Sequence, residues 1–138
     1  MKFTIKNDKS TLTVELKKVR SYGKSGGTEL YFTVRINIPG YSAEFDGDSL
    51  MLEELEAFLD DIEKQQSEFS GESKLLTPFL DIIGKMDELS HVTWECSTTY
   101  PYAEGATLEF EIGSDQSFLS ALITELRQFI EHARSLEL

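Results

Sequence analysis

Period-two alternation of apolar and polar residues dominates the N-terminal part of the chain. Phe3 and Ile5 share one face of a short predicted strand, residues 2–6. Leu12, Val14 and Leu16 alternate with Thr11, Thr13 and Glu15, which gives a second, half-buried strand. Residues 22–28, YGKSGGT, are a glycine-rich turn. Leu30, Phe32, Val34, Ile36 and Ile38 then fall on one face of a long strand, with Tyr31, Thr33, Arg35 and Asn37 on the other. Pro39-Gly40 breaks it, and Tyr41, Ala43 and Phe45 mark a returning strand. Residues 28–38 and 41–46 therefore read as a hairpin.

The period next changes to that of a helix. Leu52, Leu55, Phe58, Leu59 and Ile62 share one face of a helix of about 49–66, with Asp48 or Ser49 as its cap. A polar loop follows, ending at Gly71. Leu75-Leu76 suggests a short strand before Pro78, and residues 79–86 are read as another. Residues 91–98 alternate, with Val92, Trp94 and Cys96 on one side. Residues 99–105 are a turn, and Leu108, Phe110 and Ile112 mark the last strand. Ser114 caps a terminal helix, 115–135, with a broad apolar arc from Phe118 to Ala133. These elements predict an α+β fold, antiparallel β-sheet or sheets with the two main helices packed on them. No internal repeat or low-complexity tract divides the chain, so residues 1–138 are expected to form one domain.

Composition narrows the class. The chain has 138 residues, 40% of them hydrophobic, enough for an unaided core. Its one cysteine, Cys96, rules out an internal disulfide and a thiolate zinc site. No apolar run reaches the roughly 18 residues of a membrane span. The N-terminus has no apolar signal core, so a cytoplasmic protein is expected. Formal net charge is −12, but residues 1–35 carry eight Lys/Arg against three Asp/Glu. The acid lies beyond them and is densest from Glu44 to Glu63, with nine carboxylates and no base. Such a field repels nucleic acid and anionic membranes and attracts a basic protein. Most carboxylates on a helix are simply solvated. Glu56 and Asp60, however, have the i,i+4 spacing at which like charges cost stability. Tyr100 and Tyr102 flank Pro101 in a turn, either as interface anchors or as lids on the core edge.

No catalytic constellation emerges. GKSGGT lacks the first glycine of a phosphate loop, since Lys18 stands there, and a strand follows instead of a helix. His91 and Cys96 are five apart in a strand and face opposite ways. Counting a calcium loop from Asp46 puts Ala57 where the bidentate Glu belongs. Carboxylates on one helix do not face each other across a cleft as glycoside hydrolysis needs. A non-enzymatic protein without metal or cofactor is expected. A small carboxylate enzyme ranks last.

The order of hairpins, a helix reading DSLMLEELEAFLDDIEKQ, a loop ending in Gly71-Glu72-Ser73, further strands and a closing helix led by SDQSFLSALITELRQFIEH resembles the WapI-type immunity proteins of bacterial polymorphic toxin systems. The resemblance spans most of the chain and is best over residues 50–62 and 113–130. It implies a cytoplasmic protein that binds and neutralises a cognate toxin domain, often a nuclease. It fixes no binding residues. The chain's own residues offer Glu53, Glu56, Asp60, Asp61 and Glu63 as contacts to a basic toxin, with Tyr100 and Tyr102 as anchors. The alternative is a structural or regulatory subunit that self-associates through the terminal helix.

Overall fold

A computed structural model describes residues 1–137. It consists of two successive units, each a four-stranded antiparallel meander followed by a helix. The first holds β1 (Lys2–Lys6), β2 (Thr11–Ser21), β3 (Thr28–Ile38), β4 (Tyr41–Met51) and α1 (Leu52–Glu68). The second holds β5 (Glu72–Leu76), β6 (Leu80–Met86), β7 (Val92–Tyr100), β8 (Ala106–Ser114) and α2 (Gln116–Ser135). The sheet orders are β1-β2-β3-β4 and β5-β6-β7-β8. The expected α+β class with two main helices is what forms. The sequence shows no repeat, yet the backbone repeats its topology.

Each helix packs across to the other unit. α1 lies against β5 and α2, and α2 lies against β1. Phe58 of α1 meets Trp94 of β7 edge-on, ring centroids 6.3 Å apart. Phe3 of β1 meets Phe129 of α2 in the same manner at 5.2 Å. Each aromatic pair contributes about 0.5–1.5 kcal/mol beyond the area it buries. Glu125 of α2 accepts the backbone N–H of Thr4, satisfying a donor on the edge strand β1. One continuous apolar cluster results, joining the alternating residues of both sheets to the faces of both helices.

Several element boundaries differ from those the sequence predicts. β2 continues beyond Leu16 to Ser21 because a bulge between Leu16 and Lys18 shifts the alternation and returns Val19 to the inner side opposite Leu30. β4 runs on from Phe45 to Met51, and its register slips opposite Leu30/Phe32. Ser49 therefore does not cap a helix. It lies in the strand with φ 61°, its N–H donated to Glu29. Asp48 is not a cap either. α1 begins at Leu52 rather than near 49, behind Met51, which gives no side-chain cap. α2 is capped by Asp115, not Ser114, and the Asp115 carboxylate accepts the N–H of Ser117 at 2.9 Å. The hydroxyl of Ser114 instead accepts the indole N–H of Trp94.

The apolar arc of α2 is used within the chain. Leu119, Leu122, Ile123, Leu126, Phe129 and Ala133 are all buried. Phe118 and Ile130, at the margins of the same arc, are half-buried.

Candidate functional site

The acidic helix is more compensated than its sequence suggests. Glu63 and Glu56 lie two turns apart on α1, and Arg127 and Arg134 lie two turns apart on α2. Arg127 pairs with Glu63 at 3.0 Å, and Arg134 pairs with Glu56. Arg134 also holds Glu137 at 2.7 Å. Glu53 accepts the N–H of Thr28 at 2.9 Å, fixing the start of β3 to the start of α1. Asp60 and Asp61 are exposed and, among the described residues, make no ion pair. Glu54 has its carboxyl pushed up by partial desolvation and then by the neighbouring Glu53 charge. Of the five helix carboxylates proposed from sequence, three are tied down and two are free.

The remaining carboxylates of the 44–63 stretch sit on the outer face of the first sheet. Arg35 bridges Glu15 and Glu44, each at 2.8 Å. Lys17 pairs with Asp46 at 3.0 Å, and the Thr33 hydroxyl donates to the same carboxylate at 2.7 Å. The Thr33 hydrogen bond and then Lys17 hold Asp46 below the usual carboxylate range. The Arg35 hydrogen bond does the same for Glu15. Asp46 is thus a strand residue in a polar ladder and not the opening of a calcium loop. Among the described residues, no three His, Cys, Asp or Glu side chains converge as a metal site would need.

The two tyrosines sit elsewhere, at the junction of the sheets. Tyr100 stacks on Phe45 of β4, centroids 5.1 Å apart and planes 20° apart. Phe79, in the turn between β5 and β6, lies 6.4 Å from Tyr100 and 5.8 Å from Tyr102. The same Phe79 ring reaches β4, where a Cβ on Gly47 would come within 3.4 Å of it. Tyr100 and Tyr102 remain 50% and 58% exposed. Tyr100 is therefore both a lid on the core edge and an open ring. The chain can fold back here because Gly105 returns against the carbonyl of Tyr100, where no Cβ would fit. Tyr100 also lines an open concavity of about 560 Å³ with Glu15, Lys17, Arg35, Glu44 and Asp46. Neither Phe79 nor Phe45 stands out in sequence as a partner of the tyrosines, since each reads as an ordinary strand residue.

Two groups of candidates thus occupy separate places. The helix carboxylates engage α2 and Thr28, and the tyrosines engage Phe45 and Phe79. No side chain is shared between them. Cys96 is buried, and desolvation pushes its thiol up to about 12, so it is not poised as a nucleophile. His91 is exposed near Asp87. Among the described residues, no helix is long and apolar enough to cross a membrane.

Comparison with known proteins gives one family and a shared fold. The model of a family described as Immunity protein WapI-like matches residues 3–133. No curated protein matches the chain. Among solved structures, the plant transcriptional regulator PBF-2 is similar at 10% identity, covering 98% of this chain and 82% of that one, with a TM-score of 0.56. The Trypanosoma bruciei MRP1/MRP2 structure aligns at 14% identity over 96% of this chain and 81% of that one, with a TM-score of 0.47. At such identities the first likeness concerns the fold alone.

Proposed function

The chain belongs to the Immunity protein WapI-like family, and from that premise we propose that it binds a cognate toxin domain and neutralises it by covering its working surface. The observation that carries this is the family match, which runs from residue 3 to residue 133 and so takes in both ββββα units. The charge distribution supports a basic target, such as a nuclease with a cationic substrate cleft. Net charge is −12 overall, and the first 35 residues are themselves basic, so the acid elsewhere is denser than the total suggests. Neutralisation of this kind needs no bond-making chemistry, metal or cofactor. It needs complementary charge and a few desolvated anchors.

The proposed contacts are Glu53, Glu56, Asp60, Asp61 and Glu63 on α1, with Tyr100 and Tyr102 at the sheet junction. Their roles differ. Asp60 and Asp61 offer uncommitted charge and act on the encounter rate. Glu56 and Glu63 could meet a partner only by sharing or exchanging Arg134 and Arg127. The tyrosines supply rigid, half-exposed rings. The chain acts as one domain in the cytoplasm. Co-expression with the toxin domain encoded immediately upstream, followed by calorimetry on the purified pair, tests the proposal. Protection of the cells and a stoichiometric complex are expected. Killing without protection, together with no heat of binding, would sink it.

A further inference from the structure

We propose that the aromatic corner built by Tyr100, Tyr102 and Phe79 is a receptor for a cationic side chain, an arginine by preference, projected by the protein partner. The inference rests on the proposed binding of a basic toxin and assigns it a specific point of attachment.

The tyrosines of this chain fall into two sets. Tyr31 lies beneath the ammonium of Lys18, 4.6 Å from its ring centroid, and Tyr22 beneath the guanidinium of Arg20 at 5.1 Å. These two rings are served by cations of their own chain. Tyr41, Tyr100 and Tyr102 are not, among the described residues; of these, Tyr100 and Tyr102 share an aromatic neighbour, Phe79, and each is about half exposed. Their surroundings are acidic. The concavity that Tyr100 lines contains three carboxylates, Glu15, Glu44 and Asp46, against two cations, Lys17 and Arg35. The same three carboxylates hold both cations in ion pairs, so the concavity keeps an excess of one negative charge. The turn itself adds the exposed Glu104.

Half-exposed aromatic rings beside an excess of negative charge are the chemistry that takes a cation. The ring's negative face and the carboxylates attract the same charge. A guanidinium suits both, because it is planar enough to stack and presents a fork of donors to a carboxylate. The corner is also rigid. Tyr100 is fixed on Phe45 of one sheet, Phe79 packs against both tyrosines, and Gly105 closes the turn. Little conformational freedom remains to be lost on docking. The corner is open rather than enclosed, so it holds a side chain carried by a larger surface.

The test uses the full-length protein and the purified, catalytically inactivated toxin domain encoded beside it, titrated by calorimetry at low and high salt. Tyr102→Ala, Tyr102→Phe and Glu104→Arg are compared with the unaltered chain, and thermal melts verify that each variant is folded. Tyr102 sits at the surface of a turn, so its replacement leaves the core in place. Tyr102→Ala is expected to weaken binding by about 30-fold, the scale of an interface hot spot. Tyr102→Phe keeps the ring and should bind within about 3-fold of the unaltered chain. Glu104→Arg should weaken binding at low salt and much less at high salt. Unaltered affinity in both Tyr102→Ala and Glu104→Arg would overturn the assignment of this corner while leaving toxin binding intact. If the unaltered chain itself fails to bind, the functional proposal falls and this inference with it.

Discussion

The guanidinium of Arg127 on α2 sits 3.0 Å from the carboxylate of Glu63 on α1. This pair, repeated one heptad on by Arg134 and Glu56, divides the acidic helix into a side turned to its neighbour and a side turned to solvent. Both pairs are partly exposed, so each is worth about 0–1 kcal/mol to the fold. Replacing Glu63 with Gln should therefore lower stability by no more than about 1 kcal/mol in urea denaturation. Asp60→Asn with Asp61→Asn should leave stability unchanged or slightly raised, since it relieves like-charge repulsion. In stopped-flow mixing with the toxin, the Asp pair should slow association more than Glu63→Gln does. The reverse order would mean that the α1–α2 ion pairs open on binding.

Gly84 of β6 is fixed by the Trp94 indole beside it. A Cβ at this position would run into the Trp94 ring and come within 2.7 Å of the Ser73 hydroxyl. Trp94 is 2% exposed and wedged against Phe58, so it has nowhere to move. The carbonyl of Gly84 also accepts from the buried side chain of Gln65 at 3.0 Å. Gly84→Ala should destabilise the protein by about 1–3 kcal/mol through overpacking. The midpoint of chemical denaturation checks this, with Trp94 fluorescence as the probe.

Asp115 should give the acid limb of the stability curve part of its slope. Its hydrogen bonds from the Ser117 hydroxyl and N–H hold the carboxyl below its ordinary range. A carboxyl depressed in the folded state contributes stability above its unfolded pKa, and that contribution is lost as pH falls through the folded value. The loss belongs below about pH 4. Asp115→Asn keeps a capping oxygen without a titrating group. Its melting temperature should match the unaltered protein at pH 3 more closely than at pH 6. Parallel curves across that interval would count against the assignment.

Cys96 should be silent toward thiol reagents in the native state. It is 4% exposed, and burial lifts its thiol to about 12, so almost no thiolate is present at neutral pH. Ellman's reagent should label it only at the rate of unfolding, and fully in denaturant. Rapid stoichiometric labelling of folded protein would show that β7 opens locally.

Alternation made the strand cores legible. Phe3, Leu12, Val14, Leu30, Phe32, Val34, Ile36, Val92, Trp94 and Ile112 are all buried. Two stretches misled for one reason, a bulge. Past Leu16 the period slips, so Lys17-Lys18-Val19 no longer reads as strand although the ladder continues. Asp48-Ser49 carries the composition of a helix cap but sits where β4 slips against β3. Locally these signals are the same, small polar residues beside an apolar run, and only the partner strand distinguishes them. The candidate site was legible as residue types but not as pairings. Glu63 and Arg127, or Phe45 and Tyr100, are far apart in sequence, and their meeting depends on one unit packing against the other. Among the five helix carboxylates proposed as contacts, Asp60 and Asp61 are therefore the ones without an ion pair or hydrogen bond among the described residues.

The proposed role of this acidic chain is to bind a toxin. Calorimetric titration of the intact protein into the purified toxin domain, with toxin activity assayed in the same samples, tests it most directly. A saturable complex is expected, with affinity that falls with added salt and formation that abolishes toxin activity in proportion to occupancy. Absence of a complex at low salt, or a complex that leaves the toxin fully active, would contradict it.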